Sequence, residues 1–354
     1  MRTTNQSDSP RVSFSPDPQR PLQLLQACPF HAPSPLAEIK DPSGRIVLIK
    51  DETTRMGLGS FKALGGVYAV AVMIGEAMSK LGKNAITVQE LLAPDTRTFA
   101  SSMTFVCASA GNHGLAVAAG AQIFGAKARI HLSNKVPPEF ISRLQAKHAE
   151  TVISGNTYEE SLKAALQDAE NTGAILLADG AWPGYTHPPS LVMEGYTVIA
   201  EELRRAFIVN KSWPSDIYLQ AGVGSLAGAI THMIRTTWPV QPRIHIVEPQ
   251  AAPCLQKSYA AGHPVRAEGP VSNMGRLDCK EPSIIAYEIL ARSGVEFITI
   301  SDHEASNAAD HLTINGLPTT PSGAAGYAAM IKQQATSGIS ADFRPLIIVT
   351  ETNI

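Results

Sequence analysis

Short apolar runs bounded by polar or glycine-bearing turns recur along the chain and read as buried strands. They fall at 46–50, 105–109, 128–132, 151–154, 216–220, 244–247, 297–301 and 346–350. Between them lie segments with apolar residues at helical spacing: 61–80, 115–124, 137–147, 158–172 and 188–207. The 158–172 segment shows the spacing at Leu162, Ala165, Leu166 and Ala169. Strands that alternate with helices predict an α/β fold with mainly parallel sheets covered on both faces. The 87–98 stretch is expected to be a surface insertion, and no repeat or heptad stands out.

Bulk composition narrows the class. The 354 residues suffice for one large or two medium domains, and 44% hydrophobic against 17% charged residues argues against disorder. A formal net charge of −2 gives no reason to expect nucleic acid or an acidic membrane as partner. No stretch is long and apolar enough to span a bilayer. Residues 1–32 are polar and proline-rich without a signal-peptide core, and the first twenty read as a loose arm. Cys28, Cys107, Cys254 and Cys279 are scattered, which fits reduced thiols and a cytoplasmic location. His187, His232, His245 and His303 lack partners at metal-ligand spacing, so no metal is expected.

Three segments carry candidate chemistry. Lys62 lies in L-G-S-F-K-A-L-G-G, where apolar neighbours should lower its pKa and favour the neutral amine that forms Schiff bases. A lysine that snorkels to water is the competing reading. Ser109-Ala110-Gly111-Asn112-His113-Gly114 joins a strand to an alanine-rich helix, a setting whose N–H groups bind carboxylates or phosphates. An ordinary turn would use the same residues. Ala221-Gly222-Val223-Gly224-Ser225 follows the 216–220 strand and opens a helix, as a phosphate-binding turn does. It lacks the spacing of a dinucleotide fingerprint.

In this order the motifs S-F-K, S-A-G-N-H-G and A-G-V-G-S-L-A-G resemble the fold-type-II pyridoxal-phosphate enzymes, the family of threonine dehydratase and tryptophan synthase β. Within that family the resemblance is strongest to the diaminopropionate ammonia-lyases. It extends through Lys50-Asp51-Glu52, Asp179 to Thr186, Met193-Glu194-Gly195-Tyr196 and Glu248-Pro249. It implies two parallel-sheet, three-layer domains: 33–87 with 201–354 as the large one, and 88–200 as a smaller one. The cofactor would lie in the cleft between them.

The resemblance also implies roles. Lys62 would carry pyridoxal 5'-phosphate, Asn112 would contact its phenolic oxygen, and Ala221, Gly222, Val223, Gly224 and Ser225 would hold its phosphate. Thr350 would meet the ring nitrogen as a neutral hydroxyl, which suits elimination over transamination. Ser109, Gly111 and His113 would take the substrate carboxylate. Asp179 would face the active site beside the amine, though a turn or helix-cap aspartate is equally consistent with its position. Glu248 would lie at the cofactor ring edge or in a salt bridge. Lys50, Asp51 and Glu52 are expected to form a structural ion-pair network.

The implied activity is α,β-elimination on a small L-amino acid, by a homodimer. The alternatives are serine or threonine dehydration, β-replacement, or cofactor binding without turnover. Two departures from the ammonia-lyases bear on substrate. Ala110 stands where they carry an aspartate base for the D-substrate, so action on L-amino acids without racemisation is expected. Pro321 stands where they carry a glutamate before Ser322-Gly323, which weakens the case for a substrate with two amino groups. The chain runs only a few residues past Thr350, where related lyases continue. Dependence on a partner or on dimerisation is expected if that segment covers the cleft.

Overall fold

A computed structural model describes residues 13–28, 31–82, 87–109, 111–336 and 342–353. Ala110 lies outside the described residues. The strands are β1 (Leu36–Lys40), β2 (Ile46–Asp51), β3 (Thr104–Ala108), β4 (Lys127–Leu132), β5 (Glu150–Ile153), β6 (Ile175–Leu176), β7 (Asp216–Gln220), β8 (Arg243–Pro249), β9 (Glu296–Ile300) and β10 (Pro345–Val349). They form a six-stranded sheet ordered β1-β2-β10-β7-β8-β9 and a four-stranded sheet ordered β5-β4-β3-β6. Every pairing is parallel except β1 with β2. The smaller sheet is built from a continuous stretch of chain between β2 and β7.

The strands β7 and β10 are buried at every position, as expected of strands covered on both faces. Helix Lys62–Ser79 is buried continuously from Ala63 to Ala71 and packs on helices Asn112–Phe124 and His187–Asn210. Small residues make those crossings close. A Cβ at Gly65 would lie 2.5 Å from Tyr196 Cε1 and 2.6 Å from the Val192 carbonyl. One at Gly195 would lie 2.6 Å from the Leu64 carbonyl. Lys62 sits at the first position of this central helix. Its start is tied to the end of β10 by Phe61 N–H donating to the Thr350 carbonyl at 3.1 Å and by Thr352 N–H donating to Gly59 at 3.0 Å.

Several expectations need correction. Residues 1–12 of the stretch read as a loose arm lie outside the described residues. At its far end begins helix Gln19–Gln26, not expected from the sequence, whose Leu22, Leu24 and Leu25 are buried in the main core. The expected insertion at 87–98 does lie mostly exposed, but it is helical, with Val88–Leu91 and the start of Pro94–Ala100, and it buries Leu91 and Thr96. The ion-pair network is real but differently composed. Lys50 pairs with Glu202 at 2.6 Å, and Arg55 bridges Glu52 at 2.7 Å and Glu202 at 2.8 Å. Asp51 instead accepts from Thr53 N–H and hydroxyl within its own turn. Glu248 is buried and accepts the N–H groups of Leu255 and Gln256, each at 2.8 Å. It thus serves the N-terminal turn of helix Cys254–Ala261 and makes no salt bridge among the described residues.

Candidate active site

The residues singled out converge at the C-terminal ends of the strands, where open α/β sheets bind ligands. Lys62 Nζ donates to Asp179 Oδ2 at 2.5 Å, with each side chain 20% exposed. The amine lies 5.1 Å from the Phe61 ring centre and 5.6 Å from that of Tyr196, a cation–π setting.

The sign of the Lys62 pKa overturns the sequence expectation. Burial favours the neutral amine, but the Asp179 carboxylate, helped by Tyr196, outweighs it and raises the pKa. Burial pushes the Asp179 pKa up, and the Lys62 charge, followed by His113, more than reverses this and holds it low. The pair is an ammonium and a carboxylate at neutral pH.

The glycine turn lies beside this pair. Ser225 Oγ donates to the Asp179 carbonyl at 2.7 Å. Gly224 has φ +94°, a left-handed conformation that glycine adopts without strain. A Cβ there would meet Leu255 Cδ1 at 2.9 Å and Ala286 Cβ at 3.0 Å. A Cβ at Gly222 would lie 2.9 Å from Cys279 Sγ. The N–H groups of Gly222, Val223 and Gly224 donate to no acceptor among the described residues, and helix Ser225–Thr237 begins immediately after them. Free N–H groups at a helix N-terminus suit a phosphate. Ala221 N–H is engaged in the sheet, bonded to Val247 at 2.8 Å.

On the opposite side, helix Asn112–Phe124 begins at the S-A-G-N-H turn. Asn112 is 5% exposed. Its Nδ2 donates to Glu351 Oε2 at 2.5 Å, while its Oδ1 is buried without a partner. Gly111 N–H donates to Ser109 Oγ at 3.2 Å, so that hydroxyl is spent on its own turn. His113 donates from Nε2 to the Leu177 carbonyl at 2.8 Å, and burial lowers its pKa, so the ring is neutral. The ring is thus committed to the backbone just past β6 and is not a free partner for a carboxylate. Thr350 is buried at the end of β10 and accepts from Gln220 Nε2 at 3.2 Å, which leaves its own O–H free to donate.

Three further groups belong to the site but were given no role from the sequence. Glu351 is buried among Asn112, Thr320 Oγ1 at 2.6 Å and Arg276 Nε at 3.7 Å. Burial raises its pKa, against the opposing charges of Arg276 and Lys62. Arg276 packs against Gly111. The Tyr196 hydroxyl is buried without a hydrogen-bond partner, with its ring beside the amine. Tyr196 lies in the M-E-G-Y run and Glu351 directly after Thr350, which is what could have found them. Trp182 and Tyr185 stack at 4.2 Å, and Tyr185 bonds Leu176 and Ala178, so it serves the local backbone.

An amine, a cradle of free N–H groups, an orphaned amide and a free hydroxyl form a donor set that fits pyridoxal phosphate. Comparison with known proteins agrees. The family model described as "Pyridoxal-phosphate dependent enzyme" matches residues 28–351. The diaminopropionate ammonia-lyase of Escherichia coli K12 is 31% identical over 290 residues, covering 80% of this chain and 72% of that protein. The enzyme of the same name from Salmonella typhimurium is 33% identical over 295 residues, covering 79% and 72%. The Escherichia coli enzyme in complex with an aminoacrylate-PLP azomethine reaction intermediate superposes with a TM-score of 0.82 at 27% identity, over 96% of this chain and 91% of that one.

Proposed function

The chain belongs to the pyridoxal-phosphate dependent enzymes, and from that premise we propose that it eliminates a β-substituent from a small L-amino acid, releasing ammonia and a 2-keto acid. The observation that carries this reading is the Lys62–Asp179 pair at 2.5 Å beside a turn of free N–H groups. Binding phosphate alone would not call for the amine.

When bound, the cofactor supplies the electron sink that makes the substrate Cα–H acidic. The chain supplies the rest. Lys62 holds the cofactor covalently and, once its amine is released by substrate, takes the Cα proton as general base. Asp179 holds that amine in place and stabilises the ammonium formed once it has taken the Cα proton. Gly222 to Ser225 hold the phosphate, with Ala221 anchoring the turn. Asn112 meets the phenolic oxygen. A protonated Glu351 would donate to its Oδ1 and turn Nδ2 toward the ligand. The Thr350 hydroxyl, free to donate or accept, serves the ring nitrogen without a negative charge that would keep it protonated. The turn at Ser109, Gly111 and His113 takes the substrate carboxylate at the start of its helix, where the His113 N–H is the donor of the three left uncommitted among the described residues.

In this reading 33–87 and 201–354 form the cofactor-holding domain and 88–200 the smaller one. The enzyme is a cytoplasmic homodimer, and the unpaired state of Cys28, Cys107, Cys254 and Cys279 fits a reducing compartment. Dehydration of serine or threonine is the second reading, favoured by Ala110 and Pro321 as departures from the ammonia-lyase pattern. Ammonia and keto-acid release from L-2,3-diaminopropionate, L-serine and L-threonine, assayed on the holoenzyme, tests both. Turnover of any one supports elimination and ranks the leaving group, whereas release from none of them removes it.

A further inference from the structure

We propose that the cleft selects amino acids whose β-substituent ends in an anion, gripped by Arg143 and Arg276. The proposal rests on the elimination reading for its chemistry and adds the substrate class.

The two guanidinium groups share one aromatic ring. Arg143 Cζ and Arg276 Cζ each lie 5.8 Å from the ring centre of Phe140. Arg276 also lies flat on the turn proposed to take the substrate carboxylate. A Cβ at Gly111 would be 2.8 Å from its Nη1 and 3.1 Å from its Cζ. Glu351 at 3.7 Å offsets part of the Arg276 charge, and its carboxyl feels both Arg276 and Lys62. Arg276 therefore borders the reacting centre, and Arg143 stands next to it across the Phe140 ring.

Arg143 has no such compensation. It forms no ion pair among the described residues. Its Nη2 reaches only the Leu58 carbonyl at 3.4 Å, and its Nη1 is buried with no acceptor. Burial and the neighbouring Arg276 charge both lower its pKa. A partly buried guanidinium with one buried, unmatched donor is costly to keep. Its planar fork matches a carboxylate or phosphate, which would satisfy the donor and relieve the like-charge repulsion together. A β-ammonium would instead meet two positive charges.

Two sources share this chemistry: a β-carboxylate, as in 3-hydroxy-L-aspartate, and a phosphate ester, as in O-phospho-L-serine. In either case the Cα–H bond breaks and its proton goes to the Lys62 amine. The Cβ–O bond then breaks, and the electron pair leaves on phosphate, or on hydroxide that gains a proton to depart as water. Hydrolysis of the resulting enamine gives ammonia with pyruvate from the phosphate ester, or with oxaloacetate from the hydroxy diacid.

Calorimetric titration of the holoenzyme with compounds that lack a leaving group tests selectivity apart from turnover. The probes are L-aspartate, L-2-amino-3-phosphonopropionate and the neutral L-2-aminobutyrate. At least one anionic probe should bind about tenfold or more tightly than the neutral one, and the tighter of the two names the source. Arg143→Gln should collapse that ratio, and Arg143→Lys should restore part of it. Equal affinities in the unmodified enzyme would overturn the proposal, as would an Arg143→Gln variant that weakens all three probes alike. Turnover of L-serine or L-2,3-diaminopropionate without anionic selectivity would remove this inference alone. No binding and no turnover of any compound would remove the elimination reading with it.

Discussion

Replacing Asp179 with Asn keeps the shape at Lys62 and removes the charge. The 2.5 Å contact between side chains that are each 20% exposed corresponds to a gross attraction of ~7 kcal/mol at an effective dielectric of about 20. Desolvation cancels much of this, and hydrogen bonds to charged groups contribute about 1.5–3 kcal/mol net. That range moves the amine's titration down by about one to two pH units. Below the titration midpoint, each unit raises the neutral fraction about tenfold. Asp179→Asn apoenzyme should therefore attach added pyridoxal phosphate about 10–100 times faster at pH 8, since only the neutral amine reacts. Stopped-flow growth of the visible absorbance band, repeated from pH 6 to pH 10, reads the rate and its midpoint. Steady-state ammonia release from the reconstituted variant should fall by about 10²–10⁴, the usual range for a lost proton-transfer partner. An attachment rate and pH profile that match the unmodified protein would refute the assignment of the raised Lys62 pKa to Asp179.

Three other outcomes follow from particular contacts. Gly65→Ala puts a Cβ 2.5 Å from Tyr196 Cε1 and 2.6 Å from the Val192 carbonyl. Denaturant unfolding should show a loss of about 2 kcal/mol or more from overpacking, and an unchanged midpoint would contradict the close helix crossing. Glu248 is buried, and burial lifts its pKa to about 7, against the two N–H groups it accepts. The folded protein thus binds the extra proton between the ordinary carboxylate range and about pH 7, and stability falls as pH rises through that window. The loss is at most about 3 kcal/mol, and Glu248→Gln should flatten it in melting curves from pH 5 to pH 8, where parallel profiles would dismiss it. With Ala110 unable to carry a proton on the second face, the holoenzyme should consume only the L-enantiomer of its best substrate, as chiral chromatography would show. Comparable consumption of the D-enantiomer would end that reading.

How far the chain could be read depended on how local each signal was. Helix Tyr158–Thr172 was bounded correctly because its signals lie within it: Thr157 accepts from Glu160 N–H at the start, and Gly173 closes the end in a left-handed turn. Helix Gln19–Gln26 was missed because its sequence is polar on average, and its Leu22, Leu24 and Leu25 gain meaning only against the core they join. The parallel pairing was legible from the alternation of elements, while β1, the antiparallel edge strand, was not. At the site, Lys62 drew weight only together with the two turn motifs, since a lysine among apolar neighbours can also snorkel to water. The sign of its pKa was not legible, because Asp179 is 117 residues away in sequence. Glu351 was passed over for a similar reason, since its contact with Asn112 spans 239 residues. Arg143 and Arg276 look like ordinary surface arginines until the fold sets both against Phe140.

The central claim is that Lys62 holds pyridoxal phosphate and works as the base of an elimination. The measurement that tests it most directly is the absorbance spectrum of the purified holoenzyme and of Lys62→Ala, each followed after addition of L-amino acids, with ammonia release recorded in parallel. The account predicts a visible band in the unmodified protein that shifts with substrate as ammonia and keto acid appear. In Lys62→Ala it predicts the loss of both covalent attachment and turnover. A Lys62→Ala protein that retains a covalently attached cofactor, or releases ammonia at the unmodified rate, would contradict it.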